Sequence, residues 1–340
     1  MQTEFKARQR KMVRLSDESL VRTGFLDAGE QFPVLIEPGS EGVDLIGWAA
    51  SHRAELDAKL LAHGAILLRG FGVAGAEQFQ SFAGEVYGDL LDYKERAAPR
   101  VEIGKGVYTS SEFPPDQWIP LHHEMSYAHQ WPCKILFYCD LPPQERGCTP
   151  IARASKFKAR LDPKILDRFV EKKVMYVRNY GEGVDMSWQE TFQTTDRAVV
   201  EEYCRQSGAT TEWRDGDRLR TRAVRHPLMT HPQTGEVIWF NHAHMFHCSN
   251  LPAEVREALL EQFREDELPR NSFYGDGTPI ESSVLAEIRQ TYLESSFLFP
   301  WQKGDVLILD NFLVAHGREP FSGPRRILVS LSGVLRPAFD

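Results

Sequence analysis

Cysteine is scarce and shows no pairing pattern. Five cysteines (Cys133, Cys139, Cys148, Cys204 and Cys248) stand among 340 residues, an odd number with no Cys-x-x-Cys spacing. That argues against a disulfide framework and a thiolate zinc site. Long apolar runs are missing too: no stretch approaches the roughly 18–20 apolar residues of a membrane span. The first fifteen residues are polar, without the apolar core of a secretory signal. An excess of positive charge is also absent, with 40 Lys and Arg against 48 Asp and Glu and a net charge of −8. Nucleic acid and anionic membranes both require clustered basic charge, so neither is an expected partner. The one basic cluster, Lys6, Arg8, Arg10, Lys11 and Arg14, gives way at once to Asp17 and Glu18 and reads as a solvated tail. Fixed-period repeats and low-complexity linkers are lacking. The expected location is the cytoplasm.

What is present is an ordinary globular composition, 42% hydrophobic and 26% charged, on a chain long enough for a large core. Leu45 to Leu61 carries the apolar spacing of an amphipathic helix, and Ala65–Phe71 reads as a buried strand ended by glycine. Gly75 to Val86 reads as a second helix. From Val101 to Arg153 short strand patterns alternate with proline and glycine turns: Val107–Thr109, Leu121–Tyr127, Lys134–Cys139 and Thr149–Ala152. Ser155 to Val174 predicts a helix in two pieces broken near Asp162-Pro163, and Ser187 to Gly208 another helix. Strand patterns return at Val237–Phe240, Val306–Leu309 and Arg326–Leu331, with surface helices at Ala253–Arg264 and Glu281–Glu294. The expectation is one domain over 1–340, with residues 1–30 an N-terminal arm and about 154–230 a helical insertion. The fold class expected is mainly β with helical decoration around a β-sandwich or jelly-roll (double-stranded β-helix) core.

The chemistry concentrates in Leu121-His122-His123-Glu124-Met125-Ser126-Tyr127. On an extended strand, His122 and Glu124 share one face while His123 points away. An imidazole and a carboxylate side by side start an oxygen/nitrogen metal site, and His316, after the strand pattern Val306–Leu309, is the candidate third ligand. Two histidines and one carboxylate on one face of a metal leave the opposite positions open, the arrangement of non-haem Fe(II) oxygen chemistry. Arg325-Arg326 follow shortly, and an arginine projecting beside the metal makes a two-pronged clamp for a carboxylate. A rival cluster, His242, His244 and His247, would suit zinc and a hydrolase, but it has neither a carboxylate nor an arginine clamp.

The order of these elements resembles the taurine/2-oxoglutarate dioxygenase superfamily, the clavaminate synthase-like Fe(II)- and 2-oxoglutarate-dependent oxygenases. The likeness runs from about Gly64 to Leu335. It rests on Leu121–Tyr127, Gly147-Cys148-Thr149-Pro150, His231–Glu236, Trp239-Phe240-Asn241, Pro269-Arg270-Asn271, Tyr274–Gly277 and Trp301–Asp305. The closing run adds Asp310-Asn311, His316-Gly317-Arg318 and Gly323–Ile327. The resemblance implies His122, Glu124 and His316 as iron ligands and catalytic centre, with O2 as co-substrate. It also implies that Thr149 and Arg326 hold the distal carboxylate of 2-oxoglutarate. Ser330 departs from the pattern, because some relatives carry a second arginine four residues after the first. That leaves open which group meets the C1 carboxylate and makes a sulfonate substrate a poorer fit.

The nearest subgroup is that of the syringomycin-pathway aspartyl β-hydroxylase, which implies an amino-acid or carrier-tethered aminoacyl substrate in natural-product (antibiotic) biosynthesis. Halogenating relatives replace the carboxylate ligand with a small residue, so Glu124 points to hydroxylation. Desaturation or ring closure by the same iron chemistry is the alternative, as is a non-catalytic small-molecule-binding barrel. Glu112, Ser126, Asn241 and Arg318 are the candidate substrate contacts, Glu112 for an amine and Arg318 for a carboxylate. Small molecule, carrier protein and a second copy of the chain are the partners left open.

Overall fold

The computed structural model describes residues 20–91, 95, 100–110, 113–181 and 185–336. Eight strands hydrogen-bond in the order Val21–Asp27, Phe32–Pro38, Ala65–Leu68, Val306–Asp310, Trp131–Leu141, Arg326–Leu335, Val107–Thr109 and Glu102–Gly104. Neighbours are antiparallel except Phe32–Pro38 with Ala65–Leu68, which run parallel. A parallel pair needs a crossover, and the helices Leu45–Ser51 and Arg53–His63 supply it. The sequence pattern suggests one helix here, but the chain breaks at His52, whose backbone leaves helical geometry. Arg53–His63 ends at Gly64, left-handed at φ 81°. A Cβ there would lie 2.5 Å from the Val314 side chain, so glycine is required on both counts.

The sheet is covered on both faces, which is why Ala65–Leu68 and Val306–Asp310 are buried at every position and why Ala65–Leu68 and Val306–Leu309 read as unbroken apolar runs. Alternate side chains enter two different cores. Ile66, Leu68, Leu136, Tyr138 and Ile308 pack with Trp48, Leu56, Leu60, Phe79 and Phe82 of the N-terminal helices. Leu67, Ile135, Phe137, Leu307, Ile327 and Val329 pack with Leu121, Ile151, Ala152, Val314 and Ala315 of a second, three-stranded sheet. Its order is Ile119–His122, Val314–Arg318, Ile151–Arg153. Truncating a core leucine such as Leu307 to alanine would cost about 2–5 kcal/mol through lost transfer energy and the cavity left behind.

The stretch expected to be a helical insertion is mixed. Helices Ala154–Arg160, Pro163–Lys172, Trp188–Phe192 and Arg197–Gln206 lie in it, the break at Asp162-Pro163 falling where expected. So do three strands of a separate four-stranded antiparallel sheet, ordered Ala209–Arg214, Arg218–Arg225, Val174–Tyr180, Arg270–Tyr274. Arg218–Arg225 carries four arginines, which hide its strand character. Arg220 among them is buried and donates from Nε to Asn179 Oδ1 at 2.6 Å. Of the expected N-terminal arm, residues 1–19 lie outside the described residues, and Val21–Asp27 forms the edge strand of the main sheet. Among the described residues no helix is long and apolar enough to cross a membrane. The chain is thus mostly sheet with several helices.

Candidate metal centre

His122 closes its strand and His316 lies in the middle of the next, and the two are direct register partners. Cross-strand partners bring their Cβ atoms to roughly 5 Å, and here the two imidazole centroids are 4.6 Å apart. Glu124 arrives differently. The strand stops at His122 and the chain turns, with Met125 at φ 59° and Ser126 N–H donating to the His123 carbonyl. The shared strand face expected from the His-x-Glu spacing therefore does not exist; the turn swings Glu124 back onto the two histidines. Its Oε2 lies 3.4 Å from His316 Nε2 and 3.9 Å from His122 Nε2. One ligand atom from each of the three residues lies within 4.8 Å of the others, the one such group among the described residues.

The electrostatics suit a divalent cation. His122 Nδ1 donates to the Pro120 carbonyl at 2.8 Å, which fixes the tautomer and turns the Nε2 lone pair to the centre. Burial holds the His122 imidazolium well below its ordinary range, with the His316 ring adding to the effect. Burial, and then the Arg100 cation, push His316 down to about 3. Both rings are neutral donors at pH 7. Burial drives the Glu124 carboxyl upward. Opposing this, Arg100 donates from Nη2 to both Glu124 oxygens, at 3.2 and 3.4 Å. Two neutral imidazoles and one carboxylate converging on a point are a fitting donor set for Fe(II).

The turn that carries Glu124 is held by Asn311. Its Oδ1 accepts from Glu124 N at 2.7 Å, and its Nδ2 donates to the carbonyls of Glu124 and Pro132. Asp310 shapes the same corner: Oδ1 accepts from the backbone of Phe312 and Leu313, and Oδ2 receives His231 Nε2 at 3.2 Å. The Asp310-Asn311 motif thus acts at a distance on the metal carboxylate.

A cavity opens beside the triad, lined by His122, His316, Phe137, Thr149, Arg100, Arg318 and Arg325 among others. Thr149 Oγ1 accepts from Trp301 Nε1 at 3.1 Å and from Arg325 Nη2 at 3.4 Å, while Arg325 Nε donates to the Gly147 carbonyl at 3.0 Å. Burial and the nearby Arg318 lower the Arg325 guanidinium to about 10. A buried cation beside a hydroxyl is a seat for a carboxylate.

Thr149 lines the cavity, but Arg326 does not. Its side chain is 61% exposed and pairs with Asp140 on the outer face. The register with Trp131–Leu141 shifts between Arg326 and Ile327, and Arg325 and Ile327 are the residues that line the cavity. Ser330 is buried on the face that carries Leu328, turned from the cavity, its hydroxyl donating to the Gly106 carbonyl. Counting four residues from Arg325 instead reaches Val329, which is in the inner core.

The substrate candidates fare unevenly. Glu112 lies outside the described residues. Asn241 is buried away from the cavity, its Nδ2 on the Pro227 carbonyl and its Oδ1 receiving Ala243 N. Ser126 Oγ is 2.6 Å from His242 Nδ1, behind the metal ligands. Arg318 does line the cavity, but it donates to the carbonyls of Phe113, Pro114 and Gln117, bolting that loop rather than facing outward. The rival histidines serve separately. His242 packs on the His122 ring, His244 Nε2 donates to the Leu121 carbonyl, and His247 Nδ1 accepts from Ser249 N. His123 is buried with its Nδ1 on the Asn311 carbonyl. Arg100 is the residue that sequence reasoning missed, because nothing in Ala97-Ala98-Pro99-Arg100-Val101 marks it.

A centre of two neutral histidines and one carboxylate opening on a cavity of arginines is the equipment of an Fe(II)- and 2-oxoglutarate-dependent dioxygenase. Residues 30–331 match the family described as taurine catabolism dioxygenase TauD, TfdA family, and the chain belongs to it. Its relatives include the dapdiamide synthesis protein DdaC of Enterobacter agglomerans, 40% identical over 285 residues, which covers 84% of this chain and 87% of that protein. A clavaminate synthase-like protein of Arabidopsis thaliana is 33% identical over 320 residues, 88% of this chain and 93% of that one. Among solved structures, PvcB of Pseudomonas aeruginosa superposes with a TM-score of 0.55 at 19% identity, covering 93% of this chain and 92% of that one, which shows the shared fold.

Proposed function

We propose that this dioxygenase hydroxylates an unactivated C–H bond of an amino acid or carrier-tethered aminoacyl group in natural-product biosynthesis. The observation that carries the reading is the intact carboxylate ligand Glu124 in a chain 40% identical to a dapdiamide synthesis protein. In this reading His122, Glu124 and His316 hold Fe(II), and Thr149 with Arg325, in place of Arg326, takes the distal carboxylate of 2-oxoglutarate. When bound, iron and 2-oxoglutarate supply the oxidising chemistry, O2 being consumed as 2-oxoglutarate goes to succinate and CO2. The protein's part is to fix the two imidazoles in one tautomer, hold the Glu124 turn through Asn311, and keep water out with buried walls such as Phe137. We read the eight- and three-stranded sheets, with one core between them, as the two walls of a jelly roll. Five free cysteines suit a reducing cytoplasm.

A screen of free amino acids and carrier-bound aminoacyl thioesters for substrate-stimulated succinate release, with product masses, tests the reading. Gain of one oxygen atom supports hydroxylation, and loss of two hydrogens supports the desaturase or cyclase alternative. Absence of succinate with every substrate, and of a visible band with Fe(II) and 2-oxoglutarate, rejects both.

A further inference from the structure

The run Trp301-Gln302-Lys303-Gly304-Asp305 stands just before the buried strand Val306–Asp310, and none of its side chains lines the cavity. It is nevertheless locked in place. Asp305 is fully buried; its Oδ2 accepts from Gln302 N at 2.8 Å and its Oδ1 from Arg69 Nε at 3.0 Å. Arg69 Nη2 donates in addition to the Pro300 carbonyl at 2.9 Å. Between these ties sits Trp301, 6% exposed, with its ring edge-on to Phe299. From there its Nε1 donates to Thr149 Oγ1 at 3.1 Å.

A threonine hydroxyl has one hydrogen to give and two lone pairs to fill, whereas an indole N–H and a guanidinium can only donate. The contacts from Trp301 Nε1 and Arg325 Nη2 therefore both fall on the lone pairs of Thr149 Oγ1. The hydroxyl hydrogen is left the remaining direction, and no described residue accepts it. Thr149 lines the cavity, so it meets a ligand there as a donor alone. An ionised carboxylate, which only accepts, is its complement; a methyl group is not. With the indole N–H gone, one lone pair is freed and the hydroxyl can turn its hydrogen elsewhere.

We propose that Trp301 is a positioning residue: by filling a lone pair of Thr149 it fixes that hydroxyl as a donor to the distal carboxylate of the 2-oxo acid. It thereby sets the preference for a dicarboxylic over a monocarboxylic 2-oxo acid. This rests on the assignment of Thr149 and Arg325 to 2-oxoglutarate.

The test is anaerobic titration of the Fe(II) protein with 2-oxoglutarate and with 2-oxovalerate, in which a methyl group replaces the distal carboxylate. The visible charge-transfer band is followed for wild type, Trp301→Phe, Thr149→Val and the double variant, and the ratio of the two dissociation constants is the readout. Trp301→Phe should lower that ratio roughly three- to tenfold, the scale of one net hydrogen bond, with the loss confined to 2-oxoglutarate. In the Thr149→Val background it should lower the ratio no further, because its effect passes through the hydroxyl. Equal weakening of both acids, or a loss that adds to that of Thr149→Val, makes Trp301 a brace for its loop and overturns the inference. A ratio unchanged by Thr149→Val removes Thr149 from the distal carboxylate, and the underlying assignment fails first. A second measurement leaves position 301 intact. In the Zn(II)-loaded protein labelled with 15N-tryptophan, one of the seven indole N–H resonances should move upfield in Thr149→Val, and in wild type it should shift further with 2-oxoglutarate than with 2-oxovalerate. Seven unmoved resonances would sink the proposal. Thermal melts check that each variant is folded.

Discussion

Replacing Arg325 and Arg326 one at a time separates the two assignments of the 2-oxoglutarate clamp. Arg325 is buried, donates toward Gly147 and Thr149, and is lowered to about 10 by a lack of solvation that a carboxylate would relieve. Two charge-assisted hydrogen bonds to a carboxylate contribute about 1.5–3 kcal/mol each, so Arg325→Ala should weaken 2-oxoglutarate binding by roughly 100-fold or more. Arg326 is 61% exposed and paired with the buried Asp140 on the face turned from the cavity, so Arg326→Ala should leave 2-oxoglutarate affinity within about threefold. The assay is an anaerobic titration of the Fe(II) protein with 2-oxoglutarate, following the visible charge-transfer band. Arg325→Lys, a point charge without a fork, should fall between wild type and alanine. A larger loss for Arg326→Ala than for Arg325→Ala would refute the inward placement of Arg325.

Other outcomes follow from the same geometry. His122→Ala and His316→Ala should each remove bound iron by elemental analysis, whereas His244→Ala, which loses its bond to the Leu121 carbonyl and its packing on Tyr292 but no metal ligand, should retain it. Asn311→Ala strands buried groups of Glu124 and Pro132; it should cost about 3 kcal/mol or more in urea unfolding and weaken metal binding, and an unchanged midpoint would count against the clamp. Gly147→Ala places a side chain at φ 67° with its Cβ 2.8 Å from Phe321 and Pro143. The displaced loop should raise the KM for 2-oxoglutarate while iron content stays near stoichiometric, because Thr149 moves and the triad does not.

The sequence made the triad legible through residue type and order, yet the local reason drawn from it was wrong. An extended His-x-Glu pairs its side chains by alternation, whereas here a left-handed Met125 and the Asn311 amide bring Glu124 home. Tertiary contacts of that kind have no local signature. Arg325 and Arg326 show the same gap, since adjacent arginines differ only by the phase of a strand, and that phase is set by which alternate residues, Ile327 and Val329, the sheet turns to the inner core. The buried runs Ala65–Leu68 and Val306–Leu309 were readable because burial on both faces leaves an unbroken apolar run. Val174–Tyr180 and Arg218–Arg225 were not, because polar and charged residues interrupt them, Arg220 being bound by Asn179 of the neighbouring strand and by Asp266 far along the chain.

The pairing of His122 with His316 has a consequence for the order of events during synthesis. The strand that brings the second imidazole leaves the ribosome long after the one that brings the first, so a nascent chain stopped before residue 314 owns His122 and Glu124 but lacks a third ligand. Joining such distant segments is entropically costly and slow. Iron capture therefore belongs to a late stage of maturation. In a set of stalled chains of increasing length, acquisition of tightly held metal should mark the step at which the two sheets close on each other.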